Sequence, residues 1–296
     1  MAKATRTTKG LTTQKKIAAQ REAARRAERR HNMLITGGST AAVAVVVVVL
    51  VLVKVLSSGP SAHGAPPAGA TAGTRLPASV MHDLTNVPAA TLDAVGAGNV
   101  PTITQHPVRD INGTPLTSGG KPELLYIGAQ WEPYSAAMRW AMAVALSRFG
   151  TFSPLRGTYS SSKDYFPHTP TLTFDGTRYS SPYLVFTPVE HQSLTRTPLQ
   201  PTTPAEQALW DKYDPHNYPF IDIGGRYQVS IIYSAAYLAH QSWAQIASAL
   251  HEPSTPIAQG ADGAANFLTA AICKTTDNQP TSVCASTAIK RLQAGF

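Results

Sequence analysis

The chain has 296 residues, 43% of them hydrophobic, enough for one large or two small domains with a real core. Its formal charge is +8, yet residues 1–32 hold ten Lys/Arg against two Asp/Glu and the remainder balances fifteen against fifteen. Basicity confined to one end of an otherwise neutral chain argues against a nucleic-acid-binding body, and no nucleic-acid partner is expected.

In chain order, "TQKKIAAQREAARRAERRHN" has the composition of a helix, with Glu22 and Arg26 spaced to pair at i,i+4. Next comes "MLITGGSTAAVAVVVVVLVLVKVL", residues 33–56, whose single charge is Lys54 near the far end. At about 1.5 Å per residue this run spans a hydrocarbon core of roughly 30 Å. In lipid the backbone satisfies its own hydrogen bonds, so helix wins over the β preference of valine. A cleaved signal peptide has a shorter apolar region and a shorter basic flank. The expectation is an uncleaved transmembrane helix that contacts membrane lipid through residues 33–56. Residues 1–32 then form a basic cytoplasmic tail near anionic headgroups, and the rest faces outside the cytoplasm.

"SSGPSAHGAPPAGATAGTRLP", residues 57–77, is rich in Gly, Pro, Ala and Ser and carries almost no large apolar residue. It reads as a flexible linker. The folded body is expected over residues 78–296, one domain by size. "PASVMHDLTNV" and "PAATLDAVG" are short helices opened by proline. "ELLYIG" is a buried strand, and the segment from Pro133 to Phe149 an apolar helix ended by Gly150. Asp175-Gly176 between β-rich runs predicts a hairpin. "TPAEQALWDKYD" carries a capping box from Thr203 to Glu206. "YPFIDIGGRYQVSIIY" is a hairpin about Gly224-Gly225, and "SWAQIASAL" a capped helix. "DGAANFLTAAICK" and "SVCASTAIKRL" read as two short terminal helices. This order predicts an α/β fold with a mixed sheet and helices on both faces, carrying an insertion near residues 151–213.

Several segments taken together resemble the uncharacterised family called domain of unknown function 929. They are "KPELLYIGAQWEPYSAAMRWAMAVALSRFGTF", "YSSPYLVFTPVE", "YPFIDIGGRY", "SWAQIASAL" and "AANFLTAAICKTTDNQPTSVC". The resemblance implies a membrane-anchored protein with a thioredoxin-like domain. Members often carry Cys-Pro-x-Cys after "YIGA"; here Glu132 and Ser135 hold the two cysteine positions, with Pro133 and Tyr134 between them. The resemblance also places Pro219 at the cis-proline position of such folds, with Tyr218 before it and Trp131 beside the turn as a candidate binding edge.

Thiol–disulfide exchange needs an attacking thiolate and a resolving thiol, and neither Glu132 nor Ser135 supplies one. Glu132 reads as a helix-start acid, with a functional carboxylate as the alternative. Trp131 and Tyr134 offer an apolar face for an exported protein or peptide partner, or simply pack on the domain. The two cysteines, Cys273 and Cys284, lie outside any C-x-x-C motif. In an exported body they are expected to form a structural disulfide. Arg139 and Arg148 sit on the helix among apolar residues and read as surface ends or a core ion pair rather than a substrate site. No His grouping has metal-ligand spacing, and no nucleotide fingerprint is present, so neither a metal nor a cofactor is expected. The leading expectation is a redox-inactive, extracytoplasmic binding protein. The alternatives are a thiol–disulfide oxidoreductase or isomerase using the C-terminal cysteines, and a structural envelope protein.

Overall fold

The computed structural model describes residues 73–100, 106–153, 155–230 and 233–296. The basic tail, the apolar run at 33–56 and the linker as far as residue 72 lie outside the described residues. No helix among the described residues is long and apolar enough to cross a membrane.

The centre of the fold is β4 (Lys121–Ala129), the longest strand. Its residues alternate between two apolar environments, as the two-residue period of a strand requires. Leu124 and Tyr126 enter the larger core, while Leu125 and Ile127 enter a second, smaller one. β9 (Val185–Gln192) runs parallel to β4, pairing Glu123 with Val185 through Gly128 with Glu190. On the other side β10 (Phe220–Ile223) pairs antiparallel, setting Phe220 opposite Ile127. β11 (Tyr227–Val229) returns beside β10 through Gly224-Gly225, where both glycines hold positive φ. β2 (Val108–Asp110) closes that edge, and β3 (Thr117–Ser118) pairs with the start of β4. The sheet is therefore mixed, in the order β2–β11–β10–β4–β9.

Helices cover both faces. α3 (Pro133–Ser147) follows β4, and all but two of its residues are buried. It packs with α6 (Pro256–Thr275) in the larger core, joined by α1 (Ala78–Thr85), α2 (Ala89–Val95) and α5 (Trp243–Ala249). α4 (Pro204–Tyr213) covers the opposite face, where Trp210 packs with Leu125, Ile127, Val189 and Phe220. Both expected capping boxes are present, Thr203 with Glu206 and Ser242 with Gln245.

Four expectations are corrected. The linker ends sooner than residue 77, because β1 (Thr74–Arg75) pairs with β6 (Arg156–Tyr159) and Leu76 is buried. Asp175-Gly176 is a turn but not a hairpin. The flanking β7 (Pro170–Thr173) pairs with β6, and β8 (Arg178–Ser180) pairs with β5 (Thr151–Ser153). The stretch 151–213 is not wholly an insertion, since it contains β9, the parallel neighbour of the central strand, and α4. Finally, α6 starts at Pro256, capped by Thr255, well before the expected segment. Its early glycine-containing turn looks like loop in sequence, but a Cβ on Gly260 would stand 2.8 Å from the Tyr233 ring. Close packing, not chain reversal, is why glycine sits there. The last segment divides into α7 (Thr281–Cys284) and α8 (Thr287–Gln293).

Candidate functional site

The C-terminal end of β4 turns directly into α3, and every residue of the expected turn lies there. Glu132 is the N-cap of α3, and Pro133 occupies its first turn, where a missing N–H costs nothing. One Glu132 carboxylate oxygen accepts the Tyr134 N–H at 2.8 Å and the other accepts the Ser135 N–H. Glu132 is buried. Burial pushes its carboxyl above the usual range, and the Tyr134 and Ser135 N–H groups pull it back in part. Ser135 is fully buried, and its Oγ accepts the Ala129 N–H. Both Glu132 carboxylate oxygens are thus committed to the helix terminus, and the Ser135 hydroxyl faces inward, while Tyr134 is half-buried.

Beneath the turn lies a buried ion pair. Arg139, one helical turn after Ser135, donates from Nε to Glu190 Oε1 at 3.0 Å and from Nη2 to Glu190 Oε2 at 2.7 Å. Both side chains are 0% exposed. Nη2 also donates to the Ala129 carbonyl at 2.8 Å, tying α3 to the end of β4. Glu190 Oε1 accepts the Phe174 N–H at 3.0 Å. Burial alone would favour the neutral guanidine, but Glu190 outweighs it and keeps Arg139 charged. Tyr126 packs under this pair, its hydroxyl pushed strongly upward by burial. A Cβ on Gly128 would run into that hydroxyl, which is why β4 carries glycine there.

The outward face is aromatic. Trp131 meets Tyr218 edge to face, with ring centroids 6.2 Å apart. The Tyr218–Pro219 bond is cis. Trp131 Nε1 donates to Gln192 Oε1 at 2.8 Å, and its carbonyl accepts the Ser161 N–H at 2.9 Å. Tyr134 does not join this group; it packs edge to face on Phe166 at 6.2 Å. Behind Tyr218, Trp210 packs against Tyr218, His191 and His216, and His191 hydrogen-bonds the Tyr218 hydroxyl. Burial raises the Tyr218 hydroxyl to about 12. The structure therefore brings Trp131, Glu132 and Tyr218 to one end of the sheet and sends Tyr134 toward the loop after β6.

Cys273 and Cys284 are bonded as a disulfide, eleven residues apart, joining α6 to α7, and both are buried. They are the chain's only cysteines, so no free thiol remains. Among the described residues no cluster of His, Cys, Asp or Glu could hold a metal ion.

Sequence reasoning missed Glu190 as the partner of Arg139, Gln192 and Arg196 against Trp131, Asp164 behind Arg196, and Phe166 beside Tyr134. The ion-pair partner is 51 positions away, and no local spacing signals it. A buried-strand acid in "LVFTPVEHQ" was the available clue, since an acid there needs a cation.

The family model described as Domain of unknown function (DUF929) matches residues 108–274, more than half of the chain. No curated protein matches, and no solved structure matches.

Proposed function

The chain belongs to the domain of unknown function 929 family, and from that premise we propose an extracytoplasmic, membrane-anchored protein whose thioredoxin-like body binds a protein or peptide without redox chemistry at its active-turn position. The thioredoxin-like reading rests on strand order. β11–β10–β4–β9 has one parallel pair at β4–β9 and antiparallel neighbours on the other side. α3 follows the central strand, and α4 and α6 lie on opposite faces. The membrane anchor rests on the 24-residue apolar run at 33–56 behind a tail of net charge +8.

One observation carries the functional reading. At the helix start where such folds mount their sulfur, the buried Glu132 carboxylate uses the free N–H groups of α3, leaving Trp131 and Tyr218 half-buried at the surface. A site closed to exchange chemistry but bordered by aromatic side chains suits recognition. Crosslinking from the full chain in its membrane tests this. Alanine at both Trp131 and Tyr218 should abolish a specific crosslinked partner while the protein stays folded; an unchanged partner set would sink the binding reading. In parallel, a disulfide-reduction assay should show no turnover. Turnover that disappears in Cys273→Ser would instead establish the enzyme alternative.

A further inference from the structure

The face of Trp131 is not empty. The Arg196 guanidinium carbon lies 3.8 Å from the Trp131 ring centroid, a close cation–π stack. The same guanidinium pairs with Asp164 Oδ2 at 3.2 Å, in a loop of a different part of the chain. The Asp164 side chain is only 15% exposed, whereas that of Arg196 is 56% exposed. Asp164 is itself held, its Oδ1 accepting the Tyr165 N–H at 2.8 Å. Trp131 is held by Gln192 on its indole N–H and by Tyr218 on its edge. So the two elements that recognise the guanidinium are fixed, and the guanidinium is the exposed member.

Arg196 comes from the short loop after β9. Ser193 and Thr197 close this loop through the Ser193 N–H to the Thr197 carbonyl and a contact between their hydroxyls. Arg196 sits there at φ +64°, in the left-handed region that glycine adopts at lower cost. A fixed aromatic face beside a fixed carboxylate is the arrangement that reads a planar, delocalised cation rather than a compact ammonium.

We infer that the Trp131 face and the Asp164 carboxylate form a subsite for an arginine side chain of a partner polypeptide, and that the chain's own Arg196 occupies it until that partner displaces it. The inference rests on the polypeptide-binding reading above and names its recognition element. The occupant is a polypeptide arginine because the one seated there is borne on a chain loop. Self-occupancy lowers apparent affinity by the fraction of molecules in which Trp131 is free. A stack and a partly exposed ion pair together lower it about tenfold.

The test uses the full-length chain in detergent, labelled with 5-fluorotryptophan and followed by fluorine NMR. The chain has four tryptophans, and a Trp131→Phe sample assigns the Trp131 resonance. Arg196→Gly suits the local φ and removes the guanidinium; Arg196→Gln removes the charge while keeping a long side chain. In both, acetyl-Gly-Arg-Gly-amide should move the Trp131 resonance alone, with a Kd about tenfold below that of the unaltered protein. The citrulline and lysine counterparts should bind several-fold more weakly, and free arginine no better than the peptide. Adding Asp164→Asn should remove most of the gain. Equal binding of arginine and citrulline peptides, or no titration of Trp131 in either variant, overturns the proposal. Preferred binding of free arginine reassigns the subsite to a small molecule and also overturns it. A crosslinked partner that still depends on Trp131 and Tyr218 while arginine peptides fail would remove only this subsite. Loss of that dependence would remove the binding reading itself.

Discussion

Replacing Glu190 with Gln is expected to be among the most damaging single polar changes in the body. It keeps the shape but leaves the Arg139 guanidinium buried at 0% exposure without its paired carboxylate. Two charge-assisted hydrogen bonds, at 3.0 and 2.7 Å, become ordinary or are lost, and the Ala129 carbonyl is the main remaining acceptor. Removing one partner of a buried pair costs about 3–5 kcal/mol. For a domain of this size each kcal/mol moves Tm by roughly 2–4 °C, so the loss is about 6–20 °C. Arg139→Met is expected to cost a similar amount by stranding the carboxylate. The double change Arg139→Met with Glu190→Leu removes both charges and should recover most of the loss, because apolar groups of similar size replace a buried pair at little net cost. It will not recover all of it, since the Phe174 N–H and the Ala129 carbonyl each lose a partner. Thermal unfolding of the four proteins, followed by near-ultraviolet circular dichroism, closes the cycle. A loss below about 1 kcal/mol in Glu190→Gln, or a double variant as unstable as the sum of the singles, would refute the coupling.

Asp222 is buried in β10, one carboxylate oxygen accepting the Gly225 N–H at 2.8 Å, and burial raises its pKa from 3.8 to about 6. A raised acid contributes stability that is present below pH 3.8 and lost as pH climbs through about 6, so Asp222→Asn should gain on the unaltered protein across that window, by about 2–3 kcal/mol in urea unfolding at pH 7. Asp262 in α6 is fully buried with both carboxylate oxygens unpaired, and burial raises it well above 3.8; its stability contribution is lost as pH rises above 3.8, so Asp262→Asn should flatten the fall in Tm with rising pH. Cys273→Ser with Cys284→Ser opens a loop of eleven residues and should cost about 3 kcal/mol, read as a lower urea midpoint that reductant reproduces in the unaltered protein. Glu132→Cys with Ser135→Cys should place a thiolate on the N–H groups of Tyr134 and Ser135; iodoacetamide labelling showing one cysteine with a pKa below 8.5 supports the active-turn assignment, and two ordinary thiols that do not pair would count against it.

Local chemistry was legible in the sequence. The helix start at Glu132-Pro133, the capping boxes at Thr203 and Ser242, and the Gly224-Gly225 hairpin each depend on residues within a few positions of one another. Pairing across the chain was not. Nothing near Asp175-Gly176 tells that β7 belongs with β6 and β8 with β5, because a turn residue fixes a change of direction and not the partner of the strand that follows. The disulfide was legible because two cysteines allow one pairing. The pair Arg139 and Glu190 was legible only by half: an arginine among apolar residues demands an acid, but fifteen acids lie beyond residue 32 and only the fold selects one. The same limit hid Arg196, which meets a ring 65 positions earlier and an acid 32 positions earlier.

The two layers at this end of the sheet have opposite character. The inner layer of Glu132, Ser135, Arg139 and Glu190 is buried and internally bonded. Its hydrogen bonds run between α3, β4 and β9, so each holds the turn in place and none points outward. The outer layer of Trp131, Tyr218, Arg196 and Asp164 is half-exposed and meets mostly through ring faces and one accessible ion pair. Contacts of that kind are individually weak and exchange with a partner at small cost, whereas breaking the inner layer strands a buried charge. On the recognition proposed above, the floor fixes where Trp131 stands and the surface exchanges Arg196 for a partner's guanidinium without disturbing the fold. Catalysis by exchange would require the reverse, a reactive group of the inner layer released to the outside, and Glu132 and Ser135 are both bonded inward.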